Sequence, residues 1–468
     1  MGRWQGPGGY AHVLRVGLPL LAGMAAITVM ELTDRLFLGW YSQDALAAVI
    51  PSGCTFYLLT CFFLGTVSYV GVLIAQNVGA GRPGAIGAVL WQGIAFSLLS
   101  VFPLCALALA AGPIFALMDH PPEVQRLEAV YFRVLMFGAG FAVLETCLAA
   151  FYSGRGLTRT VMLVNCGGML LNVPLDYLLI FGRWGLPPLG TAGSALATAA
   201  SWAVMAVIFA GRIFTRENQR RFGVFGDWRP NGPLFFKLVR LGAPGGAQIF
   251  LDVFAAAFFI ALTGRIGKAE LTATSLVFAA NSPAFVPLLG LSSGLAVVVG
   301  QAMGAGRPQV ARRAAGSALR LMAVYIAVTA TLFLTLPEWI AGLFGPRDDS
   351  PDFAAAVALC RPLFAWMALL GCMDIVTKTA FGVLRGAGDT RFLMLSAGVL
   401  SFSVLVVPAS VALLWYHAGL LVLWEFFVLY TGMFAGVLWM RYRSGVWERL
   451  RLVEPAAAVA SPPGGYDA

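Results

Sequence analysis

The chain has 468 residues, of which 59% are hydrophobic and only 11% charged, and its mean hydropathy is +0.82. A composition this apolar excludes a soluble globular domain and places the chain in a bilayer as a polytopic protein. The net charge of +9 calls for no nucleic-acid partner, because the basic residues have another role as orientation signals.

Apolar stretches near the roughly twenty residues that span a bilayer predict six helices, over 12–40, 45–77, 86–110, 127–150, 160–181 and 189–212. A basic linker follows at 213–236, and six more helices are predicted over 237–262, 270–300, 312–334, 353–382, 391–414 and 417–441. The first stretch is too long for a cleaved leader and carries Glu31, Asp34 and Arg35, so it reads as an uncleaved helix. The tail, 442–468, is rich in Ala, Pro and Gly from Pro455 to Ala468, and that part is expected to be disordered and without function. With the N-terminus inside, most Lys and Arg outside the spans fall in cytoplasmic segments, which predicts a cell (inner) membrane protein with both termini cytoplasmic.

The two sets of six carry the same elements in the same order. Ile74 to Pro83, IAQNVGAGRP, returns as VGQAMGAGRP from Val299 to Pro308. At that same offset Arg15, Gly17 and Pro19 meet Arg240, Gly242 and Pro244, and Gly65 meets Gly290. A second element, Gly154-x-Gly156-x-Thr158-Arg159-x-x-Met162, returns as Gly386-x-Gly388-x-Thr390-Arg391-x-x-Met394, after about one helical turn of extra chain. The fold class that follows is an all-α integral membrane protein of twelve transmembrane helices. They form an N-lobe (12–212) and a C-lobe (237–441) as two six-helix bundles related by a parallel internal repeat, an arrangement in which substrate binds where the repeats meet.

Several chemistries have no residues to carry them. The seven cysteines lie in or near spans without Cys-x-x-Cys spacing and read as small core residues. His12, His120 and His417 are scattered and form no metal-ligand cluster. No Gly-x-x-x-x-Gly-Lys-Ser/Thr run is present, so ATP is not the expected energy source, and no convergent nucleophile set points to an enzyme. No cofactor and no obligate protein partner is inferred.

Charge inside the spans is what packing leaves unexplained, since one mid-membrane carboxylate costs about 2.5–3.5 kcal/mol on insertion scales. Asp34 lies deep in the first helix. Asn172 and Asp176 lie one turn apart on one face of the fifth, with Pro174 between them to bend the helix and free a carbonyl. The second half offers Asp252 and Asp374, also within predicted spans, and Glu31, Glu145 and Glu425 are further candidates. The competing structural reading is an ion pair within the bundle, Asp374 with Lys378 one turn later or Asp34 with its neighbour Arg35.

Taken together, Gly17-Leu18-Pro19, Asp34-Arg35-Leu36-Phe37-Leu38-Gly39 followed by Ala45-Leu46-Ala47-Ala48, the Gln-x-x-Gly-Ala-Gly-Arg pair, Leu171-Asn172-x-x-Leu175-Asp176-Tyr177 and the Arg385 to Arg391 run resemble the bacterial multidrug and toxic compound extrusion (MATE) transporters. The resemblance covers nearly all of 12–441. It implies a V of two six-helix lobes that opens to alternate sides of the membrane, and export of organic, cationic or amphiphilic compounds in exchange for H⁺ or Na⁺. By that resemblance Asp34, Asn172, Asp176 and Thr198 form the N-lobe cation or proton site, while Asp252 and Asp374 fall on C-lobe positions used for cation binding. Arg35 and Lys378 depart from the family pattern and are expected to modulate the two sites.

Two carboxylates removed from water and placed together favour holding one proton or a Na⁺, and titrate as a unit. Ion entry is therefore expected to neutralise Asp34 and Asp176, bend the first helix near Pro19 or Gly23, and expel substrate that competes for the same carboxylates. The alternative function is a flippase for lipids or lipid-linked saccharides, which predicts a strongly basic central cavity.

Overall fold

The computed structural model describes residues 4–118, 120–226, 228–229, 231–343 and 351–453, with the backbone alone described for 351–355. The tail segment from Pro455 to Ala468 lies outside the described residues. Among the described residues, twelve helices are long and apolar enough to cross a membrane: α1 (Tyr10–Tyr41), α2 (Gln43–Gly79), α3 (Pro83–Leu109), α4 (Pro122–Gly154), α5 (Thr158–Phe181), α6 (Thr191–Ile213), α7 (Gly232–Gly264), α8 (Lys268–Gly304), α9 (Pro308–Thr335), α10 (Ala356–Ala387, its first turn starting at Pro351), α11 (Thr390–Tyr416) and α12 (Leu420–Arg443). Each corresponds to a helix expected from the sequence, and most run several residues further. The connecting chain adds short helices at Ala111–Ala116, Arg216–Phe222 and Pro337–Leu343.

Local chemistry sets these limits. Pro83, Pro122 and Pro308 stand in the first turns of α3, α4 and α9, where a missing N–H costs nothing. The Asn231 side chain caps α7 by accepting from the Leu234 N–H, and Gly182 closes α5 in the left-handed conformation. Inside the spans, hydroxyls on Thr60, Thr66, Ser97 and Ser201 donate to carbonyls one turn back, so polar side chains enter the bilayer already satisfied. A π-helical turn at Ser401–Val406 interrupts α11 ahead of Pro408, a feature that hydrophobic periodicity does not reveal.

The packing repeats as the sequence does. In the first half α1 lies on α5, α2 on α4, α3 on α4, and α4 on α6; in the second, α7 lies on α11, α8 on α10, α9 on α10, and α10 on α12. Between the halves α1 crosses α8, and its equivalent α7 crosses α2. At these crossings Gly290 lies against the Leu21 backbone and Gly246 against the Phe62 carbonyl, close approaches that a side chain at either glycine would block. One large buried apolar cluster is drawn almost wholly from the second half, with Val13 and Val16 of α1 and Ala75 of α2 reaching into it. Another is drawn from the first half, with Leu238 of α7 reaching back.

The equivalent helices α2 and α8 are 37 residues each. At about 1.5 Å per residue they run to about 55 Å, well beyond a hydrocarbon core of about 30 Å. After α12 the chain turns back over the helix ends. Glu448 pairs with Arg312, Trp447 is fully buried, and Lys237 donates to the Leu452 carbonyl.

Not every expectation from the sequence holds. Cys61, Cys147 and Cys360 are buried as expected of core residues, but Cys54 and Cys372 are exposed and are not part of any core.

Candidate functional site

In the first half, three helices bring four polar side chains to one buried point. Asp34 of α1 is 4% exposed, Asn172 and Asp176 of α5 are fully buried, and Thr198 of α6 is 5% exposed. The Thr198 hydroxyl donates to Asp34 Oδ2 at 3.0 Å, and the Asp34 and Asp176 carboxyl groups are within hydrogen-bonding reach of one another. With its nitrogen turned toward them, the Asn172 amide donates to Asp176 Oδ2 at 2.9 Å and to Asp34 Oδ1 at 3.2 Å. The opposite orientation would set the amide oxygen against carboxylate oxygens, which is repulsive, so the donating orientation is the one the site holds. Asn172 thus donates to both carboxylates, while Asp34, Asp176 and Thr198 present hard oxygen atoms of the kind that suits Na⁺.

The site is closed on one side by residues one turn further along the same helices. Leu38 follows Asp34, Ile180 follows Asp176 and Ala195 precedes Thr198; all three are fully buried in a small apolar cluster with Val49, Tyr131 and Leu135. On the other side α5 continues the polar face with Asn165, two turns before Asn172, whose amide oxygen is buried without a partner. Tyr131, Asn165 and the buried, unpartnered Ser194 hydroxyl near Thr198 are site neighbours that the sequence reading missed. Each is a common residue type in apolar helices, so nothing short of the fold singles it out.

Arg35 is exposed, and among the described residues it makes no ion pair with Asp34. The ion-pair reading of Asp34 is therefore set aside, and consecutive helix positions explain why: they point about 100° apart. Pro19 and Pro174 both lie within continuous helices. Glu31 and Glu425 are on exposed faces, while Glu145 is half-buried with only the Thr146 hydroxyl near it, at 3.5 Å.

The second-half carboxylates lie in a different setting. Asp252 of α7 accepts from Gln248 one turn earlier. Among the described residues Asp374 and Lys378 of α10 form no ion pair, contrary to the pairing expected from their spacing; the Lys378 ammonium sits over the Phe285 ring, 4.6 Å from its centre. A ring face binds an ammonium well where water is excluded. Asp252, Asp374, Lys378 and Arg385 all line one cavity of about 530 Å³, walled by rings that include Phe278, Phe381, Phe427 and Tyr430. Asp374, Lys378, Phe381 and Arg385 recur at helical spacing and form a single stripe along α10. The first half contributes Met24 of α1 and Tyr57 of α2 to this chamber, and none of Asp34, Asn172, Asp176 and Thr198 lines it.

Comparison with known proteins agrees with this architecture. The MatE family model matches residues 19–178 and 244–411, one match in each half. Multidrug resistance protein PmpM of Pseudomonas aeruginosa is 32% identical over 392 residues, covering 82% of this chain and 80% of that protein. The probable multidrug resistance protein NorM of Rhizobium meliloti is 30% identical over 385 residues, covering 82% of each. Among solved structures, a MOP superfamily transporter from Pyrococcus furiosus superposes with a TM-score of 0.85 over 96% of this chain and 98% of that one, at 19% identity. A multidrug resistance MATE family transporter in an outward-facing conformation gives 0.83 over 94% and 96%, also at 19%; at such identities the likeness establishes the fold alone. The doubled family match, the relatives and the shared twelve-helix fold show that this chain belongs to the MATE (MatE) family, a family of membrane transporters rather than enzymes.

Proposed function

We propose that the protein is a secondary active antiporter in the cell (inner) membrane that exports organic cations and drug-like amphiphiles in exchange for H⁺ or Na⁺, with both termini cytoplasmic. The observation that carries this reading is the sealed convergence of Asp34, Asp176, Asn172 and Thr198 inside the first half. Two carboxyl groups in contact away from water require a proton or a cation between them, and that requirement is what couples an ion gradient to movement. The relatives named as multidrug resistance proteins support the substrate class.

The chamber between α7, α8, α10 and α12 is taken as the substrate site, since its volume and ring walls suit a flat amphiphile. Helix α1 connects the two sites: Asp34 faces the ion quartet, Met24 lines the chamber, and Gly17 packs against α8. Neutralising Asp34 loosens its hold on α5 and α6 and shifts α1 near Pro19, which deforms the chamber wall. Coupling then runs through the helix, in place of the direct competition for shared carboxylates expected from the sequence.

The test is efflux of a fluorescent organic cation from proteoliposomes under an imposed pH gradient or an imposed Na⁺ gradient. Efflux driven by either gradient names the coupling ion, and efflux indifferent to both overturns antiport. The chamber makes a separate prediction. Lys378→Met removes a positive charge but keeps the length of the stem, and is expected to lower the KM for organic cations by roughly threefold to tenfold. An unchanged KM across neutral and cationic dyes would place Lys378 outside the substrate's reach.

A further inference from the structure

The two repeated sequence elements close on each other across the halves. The Gln76 amide of the first Gln-x-x-Gly-Ala-Gly-Arg element donates to the Gly386 carbonyl of the second Gly-x-Gly element at 3.0 Å. The Gln301 amide of the second donates to the Gly154 carbonyl of the first, also at 3.0 Å. The backbones are exchanged in the same way, Gly79 lying against the Gln301 carbonyl and Gly304 against the Gln76 carbonyl. Two bonds, four elements and one local two-fold relation account for the strongest repeat in the sequence, and neither glutamine belongs to the ion quartet or the chamber lining.

From this geometry we infer that Gln76 and Gln301 are the paired pins of an inner gate: each half inserts one glutamine into the other, and both bonds break whenever the chamber opens to the side carrying the linker. Gly154 and Gly386 stand in the last turns of α4 and α10, where helix carbonyls have no partner within the helix. The glutamine amide satisfies them when the gate is shut, and water satisfies them when it opens, so opening leaves no buried group stranded. Neutral bonds of this kind are weak enough to break in every cycle, unlike the half-buried ion pair Arg441–Asp389 nearby, which lies within the second half. The gate also lies directly below the chamber. Arg385, next in the chain to Gly386, lines the cavity, bonds to the Ser68 hydroxyl at 2.5 Å and takes a bond from the Tyr69 hydroxyl on its carbonyl at 3.4 Å, so the chamber floor and the gate are one stretch of backbone.

The role as a gate rests on the alternating-access reading above, and hydrogen–deuterium exchange tests it apart from that reading because it needs neither substrate nor gradient. The full-length protein in lipid nanodiscs is compared with Gln76→Met, Gln301→Met and the double variant; methionine keeps the volume and deletes the donor. A crossed pattern is expected. Gln76→Met raises exchange in the second half around 384–392, and Gln301→Met raises it in the first half around 152–160. The double variant shifts the open-to-closed ratio by about tenfold to thirtyfold. Exchange that is unchanged at the crossed segments, or raised only in the half that bears the substitution or evenly along the chain, overturns the gate. Should the double variant lose its fold, the crossed pattern of the single variants decides. Failure of ion-dependent efflux in the wild type would remove the antiport reading and leave the exchange pattern standing.

Discussion

Asp34→Asn is expected to abolish ion-driven efflux, to no more than about a tenth of the wild-type rate, while the protein stays inserted at normal levels. Asparagine has the shape of aspartate and keeps an oxygen that can accept from the Thr198 hydroxyl, now at 3.0 Å from Asp34, so the packing of α1 on α5 and α6 is preserved. The lost property is the exchangeable charge. Without it the quartet holds one carboxylate, Asp176, and two neutral amides, and the energetic difference between ion-bound and ion-free states that drives α1 disappears. Insertion gains from the change, because a mid-membrane carboxylate costs about 2.5–3.5 kcal/mol, so a silent variant cannot be blamed on misfolding. Asp176→Asn is expected to match it, and the double variant to be no worse than either single one, as befits groups that act as a unit. Efflux rates from vesicles, normalised to protein content, decide the matter; full gradient-driven efflux by Asp34→Asn would remove the quartet from the mechanism.

Much of this site was legible in the sequence, for two different reasons. Asn172 and Asp176 share a face because they are one turn apart, which any helix guarantees, and Asp34 attracted notice because its charge is expensive. Their meeting with Thr198 came only from the resemblance, since no spacing rule joins positions on α1, α5 and α6. Tyr131, Asn165 and Ser194 were missed because their residue types pack into apolar helices without comment. Charge spacing also misled in one place. Lys378 is one turn from Asp374, yet it turns to the Phe285 ring of α8, a neighbour that only tertiary packing supplies. The repeat itself was read correctly as a sign of two equivalent halves, but the sequence showed only that Gln76 and Gln301 correspond. That each bonds to the other half's second element is a property of the interface, where the contacting residues are remote in the chain.

The same interface yields the second large effect. Gly79→Val in α2 and Gly304→Val in α8 are each expected to reduce efflux to background. A β-carbon at Gly79 would collide with the Gln301 carbonyl, and one at Gly304 with the Gln76 carbonyl. The obstacle in both cases is backbone, which cannot swing aside as a side chain would, and crowding of this kind costs about 3 kcal/mol. The clash falls between the halves, so neither half's own core is disturbed and insertion continues. What fails is closure: the two helix ends are held apart, and the glutamine bonds cannot form. This separates the glycine variants from the glutamine ones, since deleting a pin shifts an equilibrium whereas inserting a wedge forbids one of its states. Gly84→Val provides the control, lying just beyond the same motif with no atom within 4 Å of where a β-carbon would stand, and is expected to transport normally. If Gly79→Val and Gly304→Val transport as well as Gly84→Val, the halves do not close along this line during the cycle. If both lose efflux and show raised exchange around both 152–160 and 384–392, one jammed gate explains two substitutions made in separate halves of the chain.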